Sequence, residues 1–503
     1  MKNIVVALCI SVITSPVFAA SVKEADHKQK QNLQATRHYY GQLIAEPQPH
    51  LAELNMLMTM LPKGGDIHHH YSGSVYAETY LDWVGQRGFC IYRENDPVNK
   101  QEKFRVDNRQ LAANALSPSC LSADAVRKDV NFYRELMSAW SVVDFDNHVH
   151  QQLAPDQHFF NTFGHFSGIA KFNFNQGLKI LKQQAIAENQ QYLETMLKSA
   201  PITDHSEFSA KIDALQPKNS KAELVDAFEK FANFLDQDLG AQKKIADYVQ
   251  EIQKDTEGLD DAEFTLKIQT YVSRNSAPSK VFSSMYAAFA ASQNNPLIVG
   301  VNIVGAEHAV VALRDYHLHM QMFAFLKQRF PKVRLSLHAG ELVLGMTSPE
   351  HLQHHMRSAV QIAQAERIGH GVDVMHEANP DQLLALLRER NVAVEINLTS
   401  NAFILGLKER AHPVTMYLRH QVPIVISSDD AGVSRNNLSR EYFLFTSRYK
   451  PSYDTLKKTV YNSIRYAFLS EQDKAVQMRE LDRRFVQFEA AAAKLAAQQK
   501  EKY

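Results

Sequence analysis

From about residue 62 onward the sequence sets out, eight times, a short apolar run that closes on polar or glycine-containing residues. The runs are DIHHH, QYLETML, LKIQTYVSR, PLIVGVNIVGAE, VRLSLHAGE, RIGHGVDV, VAVEINLTS and VPIVISSDD. Most lead into helical patterns, as in HLHMQMFAFLKQRF and PDQLLALLRERN. Strands alternating with helices predict a parallel sheet. Eight such units with polar strand ends predict a closed (β/α)8 TIM-type barrel rather than an open doubly wound sheet.

Around that barrel, expected over 62–490, other segments stand out. MKNIVVALCISVITSPVFAA has Lys2, an apolar run from Ile4 to Ile13 and a small-residue end, the layout of a secretory signal peptide cut after Ala19. The run is too short to span a bilayer, and no other stretch is long and apolar enough, so a soluble secreted or periplasmic protein is expected. Residues 20–61 read as an amphipathic helical arm. Two insertions exceed what a barrel needs, at about 84–126 and 201–260. The second carries apolar residues at three- and four-residue spacing and reads as added helices. Cys9 leaves with the signal. Cys90 and Cys120 remain as an even pair in an oxidising compartment and predict one disulfide, two buried thiols being the alternative. With 55 basic and 55 acidic residues, the chain has no electrostatic bias toward nucleic acid or an anionic membrane.

The strand ends carry the chemistry. Residues i and i+2 of a strand share a face, so His68 and His70 converge while His69 points away. His338 ends the fifth run with Glu341 three residues on. His370 ends the sixth between Gly369 and Gly371, which permit close approach. The eighth ends on Asp429 and Asp430. In a barrel these termini open on one face, where active sites lie. His68, His70, His338 and Asp429 offer three nitrogens and one oxygen, a fitting set for one zinc ion with a coordination position left for water. Any one of these residues is also explained as a helix cap or a core histidine, but the ensemble is not.

These motifs, in this order, resemble those of adenosine deaminases: DIHHHYSGS, VGVNIVGAE with Gly305 and Glu307, SLHAGE, RIGHGVDV, EINLTSNAFILGL with His412-Pro413, and ISSDDAGV. The signal peptide, helical arm and cysteine-bearing segment resemble the secreted, growth-factor-type members. The resemblance implies a small purine nucleoside as substrate and a possible homodimer. It implies that His370 orients a metal-activated hydroxide toward C6, that a protonated Glu341 supplies N1, and that Asp429 holds the metal and accepts a proton. Asp430 is then expected at N7 and the Gly305 N–H at N3.

The sequence departs from that family at two places. Ser72 stands where an acid commonly meets the ribose, which changes recognition of the 5′-hydroxyl. Asn302 stands where aspartate is frequent. His69 is assigned to packing or to hydrogen bonding behind the ligands. Rival readings are a deaminase of adenine or another 6-substituted purine, or a secreted binding protein that keeps the barrel. A binuclear hydrolase lacks its bridging lysine in the fourth strand, and the cytidine-type zinc signature is absent.

Overall fold

The structure is a computed structural model that describes residues 16–500 apart from 97–100, 110–118, 144, 146–152 and 217–218. The expected signal sequence up to residue 15 lies outside the described residues. All eight runs are strands: β1 (Gly64–His70), β2 (Gln190–Ser199), β3 (Thr265–Ser273), β4 (Ile298–Val304), β5 (Ser336–Ala339), β6 (Arg367–His370), β7 (Ala393–Ile396) and β8 (Ile424–Ile426). β1 to β4 pair in parallel in chain order, and so do β5 to β8. Two seams join the halves. Val301 N–H donates to Arg334 O at 2.9 Å, and Asp429 N–H and His70 N–H bond across to His68 O (3.0 Å) and Asp429 O (3.1 Å). The ring is therefore closed, and the second seam lies at the metal-ligand candidates themselves.

Register in β1 shifts between Asp66 and His69. This irregularity lets Asp66 reach sideways, where its carboxylate accepts from Ser428 N (3.2 Å) and Ser428 Oγ (2.5 Å) just after β8. The barrel floor is charged rather than apolar. Arg367, only 1% exposed, pairs with Glu194 at 2.6 Å and Glu395 at 2.5 Å and lies 3.8 Å above the Phe468 ring. Buried charges persist only when paired, and here one arginine is matched by two carboxylates.

The first insertion holds more than the sequence pattern predicts. Strands Cys90–Asp96, Gln101–Asp107 and Leu121–Ser122 form a three-stranded antiparallel sheet with the first in the centre. Cys90 and Cys120 are disulfide-bonded, with Cα atoms 5.4 Å apart. The excursion then continues through helices to Ala187 before β2 begins. One of these, Pro155–Ala170, lies directly on strand Gln101–Asp107. A Cβ at Gly168 would stand 3.1 Å from Val106, and Arg105 donates to Gly164 O at 2.8 Å. Gly168 is what allows so close an approach.

The second insertion is helical as expected: Ser206–Asp213, Lys221–Gln237 and Leu239–Asp255. Ser220 and Glu223 form a reciprocal capping box at the start of the second of these helices. Phe228 and Phe231 of that helix stack on Phe282 of the barrel layer. The N-terminal helix Pro16–Leu43 packs on the C-terminal helix Glu471–Lys500, with Thr36 Oγ1 donating to Glu489 O at 3.1 Å. Tyr39, Tyr40 and Leu43 are buried in that contact region. Among the described residues no helix is long and apolar enough to cross a membrane.

Candidate active site

The C-terminal ends of the strands meet around one point. One donor atom from each of His68, His70, His338 and Asp429 lies within 4.8 Å of the others. His68 Nε2 and His70 Nε2 stand 3.4 and 3.3 Å from Asp429 Oδ1, and His70 Nε2 is 3.2 Å from His338 Nε2. Nε2 of His68 is buried without a hydrogen-bond partner. Four convergent donors with an orphaned buried nitrogen among them fit a single divalent ion. His69 turns away, its Nδ1 2.8 Å from Thr195 Oγ1, and burial lowers it to about 3, so it is a neutral structural residue.

His68 and His338 are fixed from behind, which selects their coordinating nitrogens. His68 Nδ1 meets Glu395 Oε2 at 2.6 Å, and Glu395 is itself held by Arg367 and Ser336. His338 Nδ1 meets Asn302 Oδ1 at 2.8 Å. Asn302 thus does with a neutral carbonyl what Glu395 does with a carboxylate. Gly369 serves a purpose different from the one expected. A Cβ there would lie 2.6 Å from His68 Cε1, so the glycine makes room for a ligand ring rather than for substrate.

His370 is oriented by a directed chain of hydrogen bonds. Val414 N–H donates to His412 Nδ1 (3.2 Å), so the His412 proton sits on Nε2 and goes to Asn401 Oδ1 (3.1 Å). The Asn401 amide then donates to His370 Nδ1 (2.9 Å). His370 is left with its proton on Nε2, the nitrogen facing Asp429 Oδ2 at 3.9 Å. Both His370 (φ 69°) and Asp429 (φ 61°) are non-glycine residues in the left-handed region. Such backbone strain costs about 1–3 kcal/mol each and gathers at functional sites.

Glu341 Oε1 lies 3.6 Å from His370 Nδ1. Burial, reinforced by the Asp429 and Glu307 charges, holds its carboxyl well above the usual carboxylate range. Its backbone is clamped by Glu307, which accepts from Gly340 N (3.1 Å) and Glu341 N (3.0 Å) and meets His355 Nδ1 at 2.5 Å. Burial alone would raise Glu307, but Arg274 and His355 outweigh it and keep the group at about 2. Across the cavity, burial pushes Asp430 up to about 7 despite nearby His70. Its Oδ1 has no partner.

These groups line a cavity of about 240 Å³ together with Ser72, Gly305, Tyr271 and three phenylalanines, Phe159, Phe160 and Phe163, from helix Pro155–Ala170. All nine residues expected from the sequence therefore converge, except that His68 sits behind the cavity wall. Gly305 has φ 101°, and a Cβ there would meet Asn275 Nδ2 at 3.0 Å, so the backbone conformation by itself favours glycine. Sequence reasoning missed Gly73. A Cβ on it would fall 1.6 Å from Asp430 Oδ1. It also missed the positioning parts played by Glu307, Asn401 and His412, though each lies in a quoted motif.

Residues 234–484 match the adenosine deaminase family. An adenosine deaminase of Clostridium perfringens is 29% identical over 140 residues, 28% of this chain and 39% of that protein. An adenine deaminase of Rhizobium rhizogenes is 30% identical over 209 residues, 41% of this chain and 59% of that protein. The chain thus spans well under two thirds of these relatives in sequence. The crystal structure of an adenine deaminase from Arthrobacter aurescens superposes with TM-score 0.51 over 84% of this chain and 98% of that one, at 14% identity, which speaks to fold alone.

A closed parallel barrel with a three-histidine, one-aspartate group at its strand ends defines a hydrolase of the amidohydrolase superfamily. Within it, the chain belongs to the adenosine deaminase family.

Proposed function

We propose that this protein catalyses zinc-dependent hydrolytic deamination of adenosine or 2′-deoxyadenosine to the inosine product and ammonia. The observation that carries the reading is the buried Glu341 carboxyl beside His370, whose Nε2–H faces the ligand cluster across the same cavity. His68, His70, His338 and Asp429 would hold a zinc ion, which would supply an activated water at neutral pH. Asp429 accepts a proton from that water, and His370 Nε2–H holds the oxygen in line with C6. Glu341 donates to N1, without which addition at C6 would leave an unstable anion on the ring. Asp430 reaches N7, and the phenylalanines and Tyr271 sandwich the apolar base.

Among the described residues no lysine or arginine lines this cavity, which favours a neutral nucleoside over a nucleotide. Ser72 replaces a charged ribose partner, so adenine itself is the alternative substrate. Export to the periplasm or outside the cell is supported by the N-terminal sequence and by the Cys90–Cys120 disulfide. The test is to follow ammonia release from adenosine, 2′-deoxyadenosine, adenine and AMP with metal-analysed protein. Turnover of the two nucleosides is expected. Turnover of AMP alone, or of none, refutes the proposal.

A further inference from the structure

A second chamber of about 680 Å³ opens beside the base cavity, and Ile404 lines both. It is lined by segments after β5, β7 and β8 together with residues of the first insertion, and the loops after the seventh and eighth strands of such barrels often receive anionic groups. Its wall contains buried polar atoms with no hydrogen-bond partner among the described residues. Ser434, 5% exposed, has a buried Oγ with no hydrogen-bond partner, as have Thr399 Oγ1 and Arg448 Nη1. Buried polar atoms are nearly always paired, so three orphans on one wall need an explanation. The charge around them is positive. Arg435 is paired with Glu78 at 2.7 Å, but Lys408, Arg440 and Arg448 make no ion pair among the described residues. Asp156, the acid on this wall, is taken by His308 at 3.0 Å.

The chamber's position follows from the pose proposed above, on which this inference rests. Glu341, after β5, meets N1, and Asp430, after β8, meets N7. C6 lies between those two ring atoms, so its exocyclic nitrogen points at the strands between, β6 and β7. Ile404 belongs to the helix that follows β7. The bond to be broken therefore points toward the second chamber, not toward solvent.

We infer that this chamber receives a substituent on the 6-amino group, and that the substituent it fits carries a carboxylate. The substrate class is an N6-substituted adenine nucleoside whose leaving group is an anionic primary amine. The reaction balances as simple hydrolysis: water oxygen bonds C6, the C6–N6 bond breaks, one proton remains on N1 and two leave on the amine. Ser434 and Thr399 hydroxyls donate to the carboxylate, and Arg448 supplies the charge-assisted bond.

The test separates this inference from the parent reading by measuring binding apart from turnover. Calorimetry on the metal-loaded Glu341→Gln variant compares N6-(carboxymethyl)adenosine with the neutral, similarly shaped N6-isobutyladenosine. At least tenfold tighter binding of the carboxylate is expected, falling to parity when Arg448→Met is added. Arg448→Met in the otherwise native chain should leave adenosine turnover unchanged. Equal affinities for the two probes, or a preference that survives Arg448→Met together with Ser434→Ala, overturns the inference. Failure of the native protein to deaminate adenosine would instead count against the parent reading, and the calorimetric comparison would still decide what the chamber binds.

Discussion

Gly73→Ala is the sharpest perturbation the site offers. Gly73 lies in the helical turn Tyr71–Ser74 and does not adopt a positive φ, so alanine is allowed by the backbone. The obstacle is purely steric. The new Cβ would stand 1.6 Å from Asp430 Oδ1, 2.4 Å from its Cγ and 2.7 Å from its Cβ. Ordinary contact begins near 3.4 Å, so the carboxyl must retreat by about 1.8 Å (3.4 minus 1.6). Misplacing a catalytic-site group by about 1 Å can cost roughly 100-fold in rate, and at least that loss in kcat/KM for adenosine is expected. The neighbouring Asp429 should keep its place because its N–H and C=O are tied to His68 and His70 of β1. Metal content should therefore remain at the native level. Steady-state ammonia release and elemental analysis read the two quantities. In an Asp430→Gly background, where there is no carboxyl to displace, Gly73→Ala should add little further loss. Native kcat/KM in Gly73→Ala, or full additivity with Asp430→Gly, would refute the reasoning.

Other outcomes follow from the same geometry. Glu341→Gln should abolish turnover by a thousandfold or more while metal content stays intact, and a tenth of native activity would argue against its role. Because Glu341 works protonated, activity should fall as pH rises through its elevated pKa. The folded chain then holds a proton that the unfolded chain releases. Stability from this group is therefore full below the ordinary carboxylate range and is lost as pH climbs toward its folded value. Glu341→Gln should lack that decline in pH-dependent denaturation. Asn401→Leu breaks the hydrogen-bond chain that fixes the His370 tautomer and should lower kcat about 100-fold with KM little changed, typical of a lost general acid–base contribution. Chelation should abolish activity and lower the melting temperature, with zinc restoring both; unchanged melting would speak against the four-residue site.

The barrel was legible because each strand ends where its chemistry begins: periodicity and strand-end histidines and acids mark the same positions. His68, His70, His338 and Asp429 could be read from spacing and residue type together. What escaped was whatever depends on contacts distant in sequence. Gly73 looks like a turn glycine until Asp430 is placed against it from 357 residues away, the difference of their numbers. Asn401 and His412 are ordinary polar residues until Val414 N–H fixes the direction of their hydrogen bonds. The small sheet of the first insertion was missed because two of its strands lie in a charged, solvent-facing stretch whose pairing comes from a hairpin partner, not from an apolar core. Gly305 and Gly369 stand out in the sequence by their place in the motifs, and the structure adds a positive φ at the first and the His68 ring against the second. From sequence alone, a glycine kept for left-handed φ looks the same as one kept for a neighbouring ring.

The helix whose phenylalanines line the base cavity is gripped by the strand that pairs with the one carrying Cys90. A thiol reductant would thus act on the doorway while leaving every proton-moving group untouched. Severing that staple should show itself as looser capture of the base and quicker amide exchange along residues 155–170, so the redox state of the surroundings is written into the enzyme's apparent appetite.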